Sequence, residues 1–190
     1  MKTIFVTLAI ALMLVACTAQ EEVTPEVSAH DAFFANLSTL CGETFTGAST
    51  YPENGDHVLV GTTLRTYVST CTDDMVRIEL FRKDGTYWHG AWVVERRPEG
   101  LHLFHDHLGE ERTMEYLIET NNSHGYGGYA TDEGTEFRQH FAADEVTAEM
   151  IPEASTNVWM MDLNLEEGVF IYYLERHAAP RFRAVMHQES

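Results

Sequence analysis

Basic residues are scarce. The 190-residue chain holds 12 Lys plus Arg against 30 Asp plus Glu, a formal net charge of −18. Nucleic-acid affinity comes largely from neutralising phosphates with Lys and Arg, so a polyanion-binding role is disfavoured. Apolar runs are short as well. The longest, Ile4 to Val15, has 12 residues and is broken only by Thr7, against the roughly 20 that a membrane-spanning helix needs. No GxSxG, HExxH or GxGxxG occurs, so none of these nucleophile, zinc or dinucleotide signatures points to an enzyme. Only three cysteines and five prolines are present. What the chain does have is apolar and aromatic matter, 44% and 11% of its residues. That is sufficient for one sizeable core and argues against intrinsic disorder.

The first segment reads as an address. Met1-Lys2 supplies a positive start, and the apolar run ends in Leu14-Val15-Ala16-Cys17, the order of a secretory signal. It resembles the lipobox of bacterial lipoproteins. That resemblance implies cleavage before Cys17 and acylation of Cys17, palmitate included, with the membrane as partner through the lipid. Thr18 in place of Asp implies the outer membrane of a Gram-negative envelope, facing the periplasm or the cell surface. Removing residues 1–16 takes away only Lys2, which leaves 11 bases against 30 acids, or −19. Residues 17–28, small and acidic, read as a tether. Residues 29–190 read as a single domain and a monomer. So acidic a surface suits salty surroundings that screen its self-repulsion.

With Cys17 taken by lipid, Cys41 and Cys71 remain as an even pair in an oxidising compartment, which reads as a disulfide. Ser28 and Asp31 resemble a capping box, and Phe33, Phe34, Leu37 and Leu40 recur at helical spacing, so a helix is predicted over about 29–41, with Gly42 as its stop. From residue 43 the period changes to two. Val76, Ile78 and Leu80 alternate with Arg77 and Glu79, and turn signals such as Lys83-Asp84-Gly85, Pro98-Glu99-Gly100 and Ala178-Ala179-Pro180 punctuate the chain. Nine to eleven strands are expected from segments at 43–50, 57–60, 64–71, 75–82, 86–96, 101–107, 113–120, 126–130, 135–141, 157–164, 169–176 and 181–187. Residues 142–156 read as a loop with a helical turn. Successive hairpins of similar length hide their edges best by closure, so the fold class is all-β: an antiparallel up-and-down β-barrel of about ten strands behind one α-helix.

Ten histidines are present, seven of them between His57 and His140. In Leu101-His102-Leu103-Phe104-His105-Asp106-His107, residues two apart share a strand face at about 6.5–7 Å. His105 and His107 therefore lie on the face of Leu101 and Leu103, the more apolar one, and are expected in the barrel near its rim. Two such imidazoles could meet one Zn²⁺, with a third ligand from His89, His124, His140 or Asp144. Against this stands the plainer reading, that His105 and His107 are hydrogen-bonded rim residues. Ser123-His124-Gly125-Tyr126-Gly127-Gly128-Tyr129 alternates small and aromatic residues, which suits close approach of backbone or ligand. Trp88, Trp92, Tyr126 and Tyr129 are the candidate ligand-binding residues. Met150, Met160, Met161 and Met186, with Trp159 and Phe170, could line a soft cavity or be ordinary core.

Cys41-Gly42-Glu43-Thr44-Phe45-Thr46-Gly47, His105-Asp106-His107 and Tyr126-Gly127-Gly128 resemble a group of uncharacterised secreted proteins and lipoproteins of Gram-negative bacteria, over most of residues 37–186. That resemblance implies a single secreted domain and no particular chemistry. In architecture the chain is similar to calycin-type barrels, which hold small apolar ligands, although Gly42 is followed by Glu43-Thr44 where those barrels carry Gly-x-Trp. The leading expectation is a lipid-anchored barrel that binds a small apolar or aromatic ligand. The alternatives are a metal-dependent enzyme using Zn²⁺ at His105 and His107, and a structural envelope protein.

Overall fold

A computed structural model describes residues 27–52, 63–82, 87–107 and 124–190, and only the backbone at 82 and 87–89. Cys17, the strands expected at 57–60 and 113–120, and the side chains of Trp88 and His89 lie outside the described residues. One helix, α1 (Ala29–Ser38), precedes the strands. These are β1 (Thr44–Tyr51), β2 (Thr63–Cys71), β3 (Met75–Arg82), β4 (Tyr87–Arg97), β5 (Gly100–Asp106), β6 (Gly125–Ala130), β7 (Arg138–Ala143), β8 (Asn157–Asn164), β9 (Val169–Arg176) and β10 (Ala179–Gln188). A short helix, α2 (Glu145–Met150), and a 3₁₀ turn (Pro152–Ala154) stand between β7 and β8. Each strand pairs antiparallel with the next, and β1 pairs with β10, closing the barrel.

Alternation decides which side chains fill it. Val76, Ile78 and Leu80 on β3 face inward, as do Trp92 and Val94, Leu101 and Leu103, Trp159 and Met161, and Phe170 and Tyr172; all are buried. Met161 and Met186 belong to this core, whereas Met150 is on the surface and Met160 half-buried. Register shifts at Ser49/Tyr51, Val68/Thr70, Glu79/Phe81 and Pro180/Phe182 add the local twist that lets ten strands curl shut.

α1 starts where the capping pattern places it. The Ser28 hydroxyl accepts from the Asp31 amide at 3.0 Å and donates to the Asp31 carboxylate at 2.7 Å. The regular helix ends three residues short of the expected 41, because Leu40 and Cys41 donate to carbonyls only three residues back. Gly42, with φ +86°, then turns the chain into the sheet. β7 begins three residues later than expected: the Thr135 hydroxyl accepts from the Phe137 and Arg138 amides and holds the preceding residues in a turn. β10 begins two residues early, because the reversal is made by His177 and Ala178, both at φ 55°. Two consecutive positive φ angles are those of a type I′ hairpin.

Candidate functional site

α1 lies across one end of the barrel. Phe33 meets Phe141 edge-on with ring centroids 6.5 Å apart, and the Arg96 guanidinium sits 4.3 Å over the Phe34 ring. Asn36 donates to the Glu136 carbonyl at 2.9 Å, and the disulfide Cys41–Cys71, with Cα atoms 6.1 Å apart, fastens the segment after the helix to the end of β2. Arg96 also pairs with Asp31, whose carboxyl is held below its ordinary range by Ser28 first and Arg96 second. This end is therefore plugged. His105 and His107 stand at the other end, beyond the reach of α1.

The lumen towards His105 and His107 is filled by aromatic rings. Trp92 and Tyr172 stack with centroids 4.1 Å apart at 22°. Tyr126 and Trp159 stack at 5.8 Å and 26°. His105 lies 6.2 Å from Trp92, 5.4 Å from Tyr126 and 4.5 Å from His107, and His107 lies 4.9 Å from Tyr126. Trp92 and Trp159 are each 1% exposed and His105 is 8%, while Tyr126 and His107 are half-buried. The rings thus form a cluster of buried indoles beside the half-buried Tyr126 and His107. Burial pushes the Tyr172 phenol well above its ordinary pKa, and neighbouring Tyr126 adds to the shift, so Tyr172 is a neutral wall of this chamber. At the rim the Arg176 Nε donates to Asn157 Oδ1 at 2.7 Å, with Asn157 buried.

The glycines of β6 serve close backbone approach. A Cβ at Gly127 would stand 2.1 Å from the Leu103 carbonyl oxygen, and one at Gly128 1.9 Å from that of Ala142. Tyr126 faces the lumen with its neighbours across the barrel, but Tyr129, three residues on, faces outward. There it packs edge-on against His102 at 4.6 Å and its hydroxyl lies 3.5 Å from a Glu99 carboxylate oxygen. Of the four expected ligand-binding residues, Trp92 and Tyr126 face the lumen, Tyr129 faces outward, and the Trp88 side chain lies outside the described residues.

The expected metal ligands separate in the same way. His105 and His107 share the lumen face, as strand alternation requires. His124 stands outside, its Nδ1 3.3 Å from Asp106 Oδ1 and its ring against Phe104; Asp106 also accepts from the Arg77 Nη1 at 2.8 Å. His140 points outward between the inward Gln139 and Phe141. Asp144 Oδ2 is 3.0 Å from His102 Nε2. Among the described residues, no three of His, Cys, Asp and Glu gather in a way that could hold a metal ion.

Two features escaped sequence reasoning. One is the latch that binds α2 to the wall. His102, buried on the outer face, meets Asp144; Asp144 accepts from the Thr147 amide at 2.7 Å; and Thr147 bonds both the amide and the carbonyl of Gly127 at 2.8 Å. The other is the Asn157–Arg176 rim pair, which only register could reveal. Tyr172 was within reach, because it shares parity with Phe170 on an evident strand. Compared with known proteins, the chain matches no family model, no curated protein and no solved structure.

Proposed function

We propose that this protein is a lipid-anchored envelope barrel that receives a small, flat, largely apolar ligand through its open end. The observation that carries the reading is the buried aromatic cluster of Trp92, Tyr172, Trp159 and Tyr126 beside His105 and His107, at the end of the barrel opposite α1. Offset aromatic stacking contributes beyond plain area burial, about 0.5–1.5 kcal/mol per pair, and it rewards flat ligands over bulky ones. A largely pre-formed, apolar, concave site with a few polar groups at its mouth is the general form of a small-molecule site. A catalytic zinc site uses about three protein ligands, and the described residues bring two imidazoles together, so the histidines are read as pocket wall. Location rests on Leu14-Val15-Ala16-Cys17 and on the acidic segment after it.

Fluorescence of Trp88, Trp92 and Trp159 is the first test, titrated with 2-naphthol and with a branched aliphatic alcohol of similar size. Saturable quenching by the naphthol alone is expected, weakened at least tenfold in Tyr126→Ala. Equal, unsaturable responses to both compounds would end the reading. For the anchor, the full-length chain is expressed in a Gram-negative host: the native chain is expected in the outer-membrane fraction and Cys17→Ser in neither its acylated form nor that fraction. Membrane association unaffected by Cys17→Ser would remove the lipid from the account.

A further inference from the structure

The cations of this chain are few, and among the described side chains most are already matched. Arg65, Arg77, Arg96, Arg97 and Arg138 each pair with a carboxylate. Among the described residues, Arg176, Arg181 and Arg183 form no such ion pair, although acids outnumber bases 30 to 12. Of these three, only Arg176 has lumen parity. It follows Phe170, Tyr172 and Leu174 at intervals of two on β9, and it lies opposite the buried Asn157 on β8. Its position is also at the end of the barrel opposite α1, one step beyond Leu174, which pairs with the Trp159 of the stacked Tyr126–Trp159 couple.

Asn157 holds the guanidinium by its Nε, at 2.7 Å. Fixing Arg through Nε orients the planar fork and lowers the entropy cost of a second contact made by the terminal nitrogens. Partial burial and the like charge of Arg181 bear on the same group and disfavour its charge, while Glu153 and Tyr126 lie near enough to act in the opposite sense. An incoming anion would relieve the repulsion between the two arginines. Asn157 satisfies the Nε without neutralising it, so the positive charge remains to be used.

We infer that the end of the barrel opposite α1 selects flat aromatic ligands that carry an anionic group, an arene carboxylate being the simplest, with the ring against Tyr126 and Trp159 and the carboxylate on Arg176. This rests on the pocket proposed above and adds the ligand's charge class. An Arg–carboxylate contact can be bidentate, which adds directional preference as well as attraction. In a chain of net charge −18 an anionic ligand is otherwise repelled, so a preference for one has to come from a local group such as this.

Isothermal titration with 2-naphthoate and its neutral near-isostere 2-naphthamide tests the inference, on the wild type, Arg176→Gln and, as a control at the plugged end of the barrel, Arg138→Gln. Naphthoate is expected to bind the wild type and Arg138→Gln about tenfold more tightly than the amide at low salt. Arg176→Gln is expected to bring the two ligands within about twofold of each other. Binding of the amide as tight as that of naphthoate in the wild type would overturn the charge preference and leave the pocket standing. So would a preference that survives in Arg176→Gln. Failure of both compounds to bind would overturn the pocket and the inference together.

Discussion

His102 shows what a single buried titratable group does in this wall. It is 1% exposed, on the outer face of β5, with Nε2 against Asp144. Burial lowers its pKa below the ordinary value, only partly opposed by the Asp144 bond. A depressed imidazole pKa means that the unfolded chain takes up the proton first as pH falls, so stability is full above about 6.5 and declines as pH drops below it towards the folded-state pKa. Urea midpoints are accordingly expected to fall between pH 7.5 and pH 5, and to fall less in His102→Gln, which can still donate to Asp144. Equal pH slopes in the two proteins would show that His102 is not the cause. Two residues away in space, Gly127→Ala is expected to lose about 1–3 kcal/mol of stability, because the new methyl meets the Leu103 carbonyl and, at 2.9 Å, His102 Cε1. The denaturation midpoint measures it.

At this scale the sequence was legible wherever a residue sat inside a regular strand. Period two placed His105 and His107 on the lumen face together with Leu101 and Leu103. The same rule sends Tyr126 and Tyr129 to opposite faces, being three apart. His124 is different. It precedes the first residue of β6, where no period applies, and its outward position comes from Asp106 and Phe104 on a neighbouring strand. Asn157 and Arg176 became partners only through the β8–β9 register, which composition does not encode.

Among the elements, α1 and its disulfide do the same job by different means. The helix buries Phe33, Phe34 and Leu37 against the barrel end, and Cys41–Cys71 fixes the chain that follows. The cross-link closes a 31-residue loop, which the chain-entropy model values at roughly 3–4 kcal/mol. Cys41→Ser with Cys71→Ser is expected to lose stability of that order by chemical denaturation, with ligand affinity at the opposite end unchanged. The β9–β10 reversal offers a gain. His177 and Ala178 both hold φ 55°, which glycine and asparagine tolerate better. The double substitution His177→Asn with Ala178→Gly is expected to raise stability by about 0.5–1 kcal/mol, read from the thermal midpoint. Helix and strand identities were plain in the periodicity, while their limits moved by two or three residues wherever a side chain or a tight turn intervened, as at Thr135 and His177.

For the whole molecule, closure explains both the burial and the site. An up-and-down meander of ten strands has no free edge once β1 meets β10, and its interior must be filled or occupied. Towards α1 aliphatic and Phe side chains fill it; towards His105 and His107 stacked aromatic rings do. Closure could be expected from hairpin spacing and from the need to hide edges, whereas which end α1 covers could not, because that depends on where the helix folds back. The acidic surface acts on the entire fold through self-repulsion, so the thermal midpoint is expected to rise with sodium chloride up to about 0.5 M, where the screening length falls to roughly 4–5 Å.

The claim on which the account turns is that the chamber below His105 and His107 admits a ligand. Chemical-shift mapping on the isotopically labelled protein, titrated with 2-naphthol, tests it most directly. The account predicts saturable shifts at the indole N–H groups of Trp92 and Trp159 and at the Tyr126 and His105 amides, with α1 silent. Shifts confined to the outer face around Arg77 and His124, or none at millimolar ligand, would contradict it.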